Sequence, residues 1–232
     1  AINTLAFTPD SALLVSGGQD GIVRVWDLST GLDSVTVPMP GAVNEVRFSP
    51  DGTLLAVGCN TGSIVFLDVM NGFKVAHTMQ TFRHLRRWTP TMTLDMCSAA
   101  DGRLLLVAGA RSLHGGVRVW DITDLQAPRL AVTLSTAEMC GVKRVRFAPD
   151  STAFAVITKS FELVLCDTVL GHNLGMLSQQ QAAVSGFAFD PVASRYAVTI
   201  SFADGTAEYC TMPDHSQLPS VVRGRESGVV VE

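Results

Sequence analysis

The sequence predicts an all-β protein built from about five repeated units of four strands, and three observations lead to that prediction. A short apolar pattern that ends in a turn recurs at residues 5–10, 46–51 and 145–150. Glycines and proline–aspartate pairs separate the apolar runs, as they do between short strands. We find no long apolar run with a helical period, so helices are not expected.

The spacing of the repeat supports this interpretation. Phe7 and Phe48 lie 41 residues apart, and Phe147 and Phe189 lie 42 residues apart. The interval between Phe48 and Phe147 is 99 residues, which leaves room for one further copy with an insertion. Residues 94–97, Leu-Asp-Met-Cys, fill that place, with Cys97 expected in the position of Phe48.

The second half of each unit repeats as well. Residues 21–27 (Gly-Ile-Val-Arg-Val-Trp-Asp) have counterparts at 62–68, 116–121 and 161–167. In the first unit the elements follow in order as an apolar run (2–7), a Pro-Asp turn, a second run (12–16), a glycine-rich turn (17–21), a third run (22–28) and a fourth (34–37). Four strands in about 40–45 residues are typical of a β-propeller blade. The predicted blades cover 1–40, 41–80, 89–135, 140–180 and 182–232, with a basic inter-blade insertion at 74–90.

Two segments carry a resemblance to a known family. The sequence Ser-Gly-Gly-Gln-Asp-Gly at 16–21 leads into Val-Trp-Asp at 25–27, and Val-Arg-Val-Trp-Asp stands at 117–121. Both resemble the tryptophan–aspartate (WD) repeat. The resemblance implies a hydrogen-bonded network in which Ser16, Asp20 and Trp26 would join a loop histidine, with Trp120 as the matching tryptophan of the third unit. Since seven-bladed rings are the commonest in that family, it also implies that these five blades are part of a larger propeller; a closed five-bladed ring is the alternative.

Composition narrows the function classes. The chain has 17 basic and 21 acidic residues and a net charge of −4, which disfavours a nucleic-acid binder. No apolar stretch approaches the roughly 20 residues of a membrane-spanning helix, so no membrane span is expected. The five cysteines form no Cys-x-x-Cys pair, which predicts reduced thiols and an intracellular, cytoplasmic location, with a cytoskeletal or nuclear assembly as an alternative.

A search for catalytic chemistry predicts that the protein is not an enzyme. The five histidines are scattered, and no histidines or cysteines have the short paired spacings of a zinc site, so neither a metal nor a cofactor is expected. Aspartates recur at turn positions, where their side chains bond the backbone. We also expect no charged or polar cluster on the strands nearest the propeller centre.

One stretch departs from the repeat. Between Val69 and Leu94 there is no acidic residue, while several basic residues and a tryptophan are present: Lys74, Arg83, Arg86, Arg87 and Trp88. Arginine and tryptophan are enriched at interface hot spots. Three interpretations stay open, namely a solvated insertion, docking to an acidic protein surface, and binding to anionic lipid or RNA phosphate. A longer turn at 111–116 adds Arg111 and His114 as contact candidates.

These observations predict a non-catalytic scaffold or adaptor, a subunit of a multi-protein assembly that binds protein partners through its rim loops. The alternative is a peripheral phosphoinositide- or phosphate-binding propeller that uses the basic segment 74–90.

Overall fold

The computed structural model describes residues 1–81, 83–84, 87–88, 90–110, 116–134, 141–176, 183–190 and 197–211. Within these ranges the chain forms only strands, turns and irregular connections. Five antiparallel sheets follow one another along the sequence, and a two-stranded hairpin lies between the second sheet and the third. In each sheet the strands are hydrogen-bonded in the order in which they occur in the chain.

The strand bounds of the first two sheets are β1 Ile2–Phe7, β2 Leu13–Gly18, β3 Ile22–Asp27 and β4 Asp33–Pro38, then β5 Val43–Phe48, β6 Leu54–Cys59, β7 Ser63–Asp68 and β8 Lys74–Gln80. The hairpin consists of β9 Arg83–His84 and β10 Arg87–Trp88. The third and fourth sheets are β11 Thr91–Ser98, β12 Leu104–Ala110, β13 Val117–Asp121 and β14 Arg129–Leu134, then β15 Val142–Phe147, β16 Ala153–Thr158, β17 Leu163–Asp167 and β18 Asn173–Met176. The fifth sheet has three described strands, β19 Val184–Phe189, β20 Ala197–Phe202 and β21 Ala207–Thr211.

Aspartate side chains shape the turns that the sequence predicts. Asp10 Oδ1 accepts hydrogen bonds from the Thr8 hydroxyl (2.5 Å) and the Ala12 N–H (3.0 Å), and these bonds hold the pKa of its carboxyl below the usual value. In the turn between the third and fourth strands, Asp27 Oδ1 accepts from the Ser29 N–H at 2.8 Å. Gly31 completes that turn with φ of 71°, in the left-handed region that favours glycine. The recurring aspartates thus serve the turns.

The hydrophobic core is divided into layers between successive sheets. The first strands of the first four sheets adjoin one another in chain order, so the sheets converge at this inner edge. One layer contains Val15 and Val25 of the first sheet with Val46 and Leu55 of the second, and similar layers lie between every later pair of sheets. Each sheet therefore has a forward face toward the next sheet and a rear face toward the preceding one.

Glycines in the second strands permit this close approach. A Cβ atom on Gly109 would lie 2.5 Å from Val142 Cγ1 of the following sheet, and one on Gly17 would lie 2.4 Å from Val43 Cγ1. Any side chain at these positions would push adjacent sheets apart.

The register of the third sheet corrects the sequence alignment. Phe48 pairs with Leu55 in the second sheet, and Met96 pairs with Leu106 at the same distance from the bulge in the first strand of the third sheet. Met96 therefore takes the place of Phe48, and Cys97 was the wrong choice by one residue. Because a one-residue shift turns every side chain to the opposite face, this correction changes which residues share a face.

Candidate functional site

The connection between the second and third sheets is shorter than the basic segment 74–90 predicted from the sequence. Residues 74–90 were expected to be one insertion, but Lys74–Gln80 is β8, the fourth strand of the second sheet, and Lys74 pairs with Asp68. The edge of β7 offers unpaired backbone groups, and Lys74–Gln80 pairs with it in antiparallel register. The connection between sheets is therefore confined to residues 81–90.

Within this connection the backbone forms the hairpin of β9 and β10. Arg83 is the cross-strand partner of Trp88, and His84 is the partner of Arg87. Arg86 lies outside the described residues. The hairpin brings four of the basic and aromatic positions of the segment into two adjacent pairs.

Two buried threonines anchor the ends of the hairpin. The hydroxyls of Thr81 and Thr91 lie 2.9 Å apart, and the Thr81 hydroxyl also donates to the carbonyl oxygen of Gly62 at 3.0 Å. Asn44 Nδ2 of the second sheet donates to the Thr91 carbonyl at 2.9 Å, and Arg118 of the third sheet donates to the Thr81 carbonyl. The hairpin thus starts and ends on fixed points tied to both neighbouring sheets. The sequence contained no signal for this contact, because single threonines are common in strands.

The second contact candidate is the longer turn between β12 and β13. Arg111 and His114 lie outside the described residues, as does the rest of 111–115. At the base of the turn the Ala110 N–H donates to the Gly116 carbonyl at 3.0 Å.

The residues of the implied structural network have different surroundings. Trp26 Nε1 donates to Ser16 Oγ at 2.9 Å. Asp20 does not join them in the described structure: it accepts from Arg24 Nη1 at 2.8 Å and from the Ile22 N–H, and these bonds lower the pKa of its carboxyl. The exposed Asp20 carboxylate is thus paired with an arginine four residues away on the adjoining strand.

Trp120 differs from Trp26 because of one neighbour. Trp26 lies opposite Leu14 and Trp120 opposite Leu106, so the position that Ser16 holds in the first sheet falls on Ala108 in the third. The side chain of alanine has no hydrogen-bond acceptor, and Trp120 Nε1 is buried without a hydrogen-bond partner in the described part of the chain. The implied bond is therefore absent from the third sheet.

A charged cluster on the inner strands contradicts the expectation that none would be found there. Arg47 Nη2 lies 2.6 Å from Glu45 Oε1, and Arg146 Nη2 of the fourth sheet lies 3.1 Å from the same oxygen. Asp95 of the third sheet accepts from the Phe147 N–H at 2.8 Å, and its other oxygen lies 3.8 Å from Arg47 Nε. These side chains are only slightly exposed, and they connect three successive sheets at the inner edge.

Sequence reasoning missed this cluster because of the alignment error in the third unit. Arg47, Asp95 and Arg146 each precede the residue that ends the shared pattern, namely Phe48, Met96 and Phe147. When Met96 is aligned with Phe48 and Phe147, Asp95 falls at the same position of its strand as Arg47 and Arg146 do in theirs. Opposite charges at equivalent positions of neighbouring strands indicate ion pairs between the strands.

Burial governs the electrostatics of the cluster. It raises the pKa of the Asp95 carboxyl to about 6, although the Phe147 N–H and Arg47 act in the opposite direction. Burial also raises the pKa of Glu45, against the attraction of Arg47 and Arg144. Hydrogen bonds and ion pairs thus link the second, third and fourth sheets at these carboxyls, while burial opposes the ionisation of both.

The described residues include no group of three or more histidine, cysteine, aspartate or glutamate side chains placed to bind a metal ion. Among the same residues the cysteines at 59, 97, 166 and 210 are free and buried. Burial raises the pKa of the Cys59 thiol to about 11 and that of Cys97 to about 12, so both stay protonated and weakly nucleophilic near neutral pH. No helix in the described ranges could span a membrane.

Comparison with known families agrees with the fold. A family model described as WD domain, G-beta repeat, matches residues 1–27, and one described as Anaphase-promoting complex subunit 4 WD40 domain matches residues 35–85. No curated protein matches the chain. Successive antiparallel sheets, most of them with four described strands, define the class of β-propeller-type repeat proteins. Within that class, residues 1–27 and 35–85 are similar to WD-repeat domains, and these matches support a WD-repeat protein.

The two matches and the all-β sheets confirm the expected fold class and the resemblance on which it was based. WD repeats indicate a scaffold for protein–protein interaction, and families with these repeats are generally non-catalytic. This describes the general role of the chain.

Proposed function

We propose that the protein is a non-catalytic adaptor, a subunit of a multi-protein assembly, and that it holds an acidic protein partner on the hairpin of β9 and β10. The observation that carries this proposal is the anchored hairpin. Both of its ends are fixed by the buried Thr81–Thr91 contact, and its four described positions are Arg83, His84, Arg87 and Trp88. An element whose ends are already fixed loses less conformational entropy on binding than a free loop, which favours affinity.

Charge supports an acidic partner. The segment from Val69 to Leu94 contains no aspartate or glutamate, whereas the chain as a whole has an acidic excess. A basic site on an acidic protein attracts a partner locally while the remaining surface repels it, and this favours one orientation. The similarity of residues 35–85 to the WD40 domain of an anaphase-promoting complex subunit supports a role within an assembly.

The proposal that the chain is not an enzyme rests on how its reactive groups are used. Aspartates such as Asp10 and Asp27 are bonded within turns, and Glu45 and Asp95 are paired with arginines. The free, buried thiols of the described residues suit a reducing compartment, and we propose an intracellular location on that basis.

The test is a charge reversal with a matched control. Arg83→Glu/Arg87→Glu changes the hairpin, and Arg129→Glu/Lys159→Glu makes the same change in net charge at exposed positions elsewhere. Tagged variants expressed in cells that lack the native chain are purified, and copurifying proteins are quantified by mass spectrometry. We expect the hairpin variant to lose its partners by about tenfold or more. The control variant keeps them, and both variants melt at the wild-type temperature.

Equal partner recovery with both variants would contradict the adaptor proposal. The alternative, binding to an anionic lipid, is examined by flotation of the purified chain with vesicles with and without phosphoinositide. Salt-sensitive flotation that the hairpin variant abolishes, together with unchanged protein partners, would favour the lipid-binding function instead.

A further inference from the structure

The turn between β16 and β17 has a phenylalanine at a position where three other sheets have glycine. In the first, second and fifth sheets the N–H of this residue donates to the carbonyl three residues earlier at 3.1 Å, and φ is 71–87°: Gly21, Gly62 and Gly205. Phe161 donates in the same way to the Thr158 carbonyl at 3.1 Å and has φ of 64°. This left-handed conformation is unfavourable for a residue with a bulky side chain. Phe161 therefore carries backbone strain that a glycine would not.

Packing in the core does not account for the strain at Phe161. Phe73 also has a positive φ, of 60°, but its ring is only 5% exposed and belongs to the core layer between the first and second sheets. The ring of Phe161 is 42% exposed and belongs to none of the core layers of the described residues. Backbone strain that the surrounding structure maintains is concentrated at functional sites, including those that hold ligands.

The backbone of this turn is fixed by hydrogen bonds to two sheets. The Thr158 N–H donates to the Glu162 carbonyl at 3.0 Å, and Thr158 is completely buried at the base of the turn. The carbonyl of Phe161 accepts from the Val184 N–H of the fifth sheet at 3.3 Å. The ring is thus attached to a backbone that needs little further ordering when a partner binds.

A lysine of the first strand lies over the exposed ring. Lys143 Nζ is 3.1 Å from the centre of the Phe161 ring, which is a cation–π contact. Lys143 occupies the bulge of β15, and the residues in the bulges of the first two sheets are asparagines that donate to carbonyls of the following sheet, namely Asn3 and Asn44. Two positions that serve the fold in other sheets therefore carry, in the fourth sheet, a ring and an ammonium group in contact with each other.

The charges around the ring are mainly positive. Lys159 belongs to the same turn and is exposed, and Arg144 adjoins Lys143. Among residues 158–162 the one acidic residue is Glu162. The ion pairs of the described residues include neither Lys143 nor Lys159, so both ammonium groups can pair with carboxylates of another molecule.

We propose that Phe161, Lys143 and Lys159 form a binding site for an acidic segment of another protein. An apolar side chain of that segment packs on the exposed part of the Phe161 ring, and its carboxylates accept hydrogen bonds from the two ammonium groups. A small positive site on a chain with a net charge of −4 suits a short acidic segment better than the long phosphate backbone of a nucleic acid. This inference does not depend on the hairpin or on its partner.

The variant Phe161→Gly separates a role in binding from a role in folding. Glycine takes a positive φ without strain, so we expect this variant to melt within about 2 °C of the wild-type temperature or above it. A melting temperature lower by more than about 5 °C would show that the fold requires the ring, and it would overturn the proposal.

Carbodiimide coupling of the protein purified in its native assembly identifies what the lysines contact, because this reagent joins an amine directly to a carboxylate without a spacer. We expect amide links from Lys143 and Lys159 to aspartate or glutamate residues of another protein, in a segment that also contains an apolar residue. Phe161→Gly should reduce these links by about fivefold or more. Links from Lys74, which is exposed at the beginning of β8, are the control and should not change.

Two results of the coupling experiment would contradict the proposal. Links confined to this chain, such as those to Glu162, would show that no acidic segment of another protein occupies the site. Links to another protein that persist at the wild-type level in Phe161→Gly would show that the ring does not take part. Flotation of the purified chain with phosphoinositide vesicles, abolished by Lys143→Gln/Lys159→Gln, would assign the site to lipid phosphate and overturn the proposal as well.

Discussion

Trp26 and Trp120 occupy the same place in two sheets of one chain, and they differ in whether the indole N–H has an acceptor. Trp26 Nε1 donates to Ser16 Oγ at 2.9 Å, whereas Trp120 Nε1 is buried beside Ala108 without an acceptor among the described residues. A reciprocal exchange follows, in which Ser16→Ala removes the hydrogen bond from the first sheet and Ala108→Ser supplies one to the third.

The expected magnitudes come from the environments of the two indoles. Ser16→Ala breaks a neutral hydrogen bond, and because Trp26 is only half-buried, water can partly replace it, so the expected loss is about 1 kcal/mol of unfolding free energy. In the third sheet the cost of burying the Trp120 N–H is already present in the wild type. Supplying an acceptor therefore recovers about 0.5–1 kcal/mol after the desolvation of the new hydroxyl.

Urea unfolding followed by tryptophan fluorescence measures both changes, and each corresponds to a shift of about 2–4 °C per kcal/mol in melting temperature. The double variant Ala108→Ser/Trp120→Phe removes the new donor–acceptor pair. The stabilising effect of Ala108→Ser must then disappear if the hydrogen bond is its cause. The reasoning is refuted if Ala108→Ser destabilises the fold by more than about 1 kcal/mol, or if its effect persists in the Trp120→Phe background.

Three further predictions concern the inner edge and the hairpin. Burial raises the pKa of Asp95 to about 6, so folding favours the protonated carboxyl. The stabilisation that results, up to about 3 kcal/mol, is present at pH 4 and is lost as the pH rises through 6. Asp95→Asn should therefore stabilise the chain more at pH 7.5 than at pH 4 in urea titrations, and an equal effect at both would contradict this. Gly109→Ala places Cβ 2.5 Å from Val142 Cγ1 and should cost about 1–3 kcal/mol in the same assay, with partial recovery in Gly109→Ala/Val142→Ala. Thr91→Val breaks the 2.9 Å contact with Thr81 and should lower stability by about 1 kcal/mol while increasing amide exchange in 81–90; unchanged exchange would show that the contact does not anchor the hairpin.

The repeat made most of the fold predictable from the sequence. Phe7 and Phe48 define a period, and turn residues such as Asp10 and Gly31 mark where each strand ends. These signals are local, because a turn aspartate bonds a backbone N–H two residues away and a glycine takes a positive φ in its own position. Local chemistry of this kind can be recognised without knowing what lies nearby in space.

The errors arose where the local signal was weak. The third unit lacks the phenylalanine and the Pro-Asp turn, so its alignment was placed at Cys97 and not at Met96. Because the third unit was misaligned by one residue, the sequence comparison did not place Asp95 at the position of Arg47 and Arg146. Residues 74–80 were assigned both to the second blade and to the basic insertion, and the structure places Lys74–Gln80 in the second sheet, paired with β7.

By itself, the sequence determined the repeat, the strand-and-turn order of each unit, the resemblance to the WD repeat and the basic character of the segment between the second and third sheets. Only the tertiary structure decided that Glu45, Arg47, Asp95 and Arg146 meet, and that Trp120 lacks the partner that Trp26 has. The physical reason is distance along the chain. Turns and strands depend on neighbours a few residues away, whereas ion pairs, acceptors and covered faces depend on residues as many as 101 positions apart that the packing of whole sheets brings together.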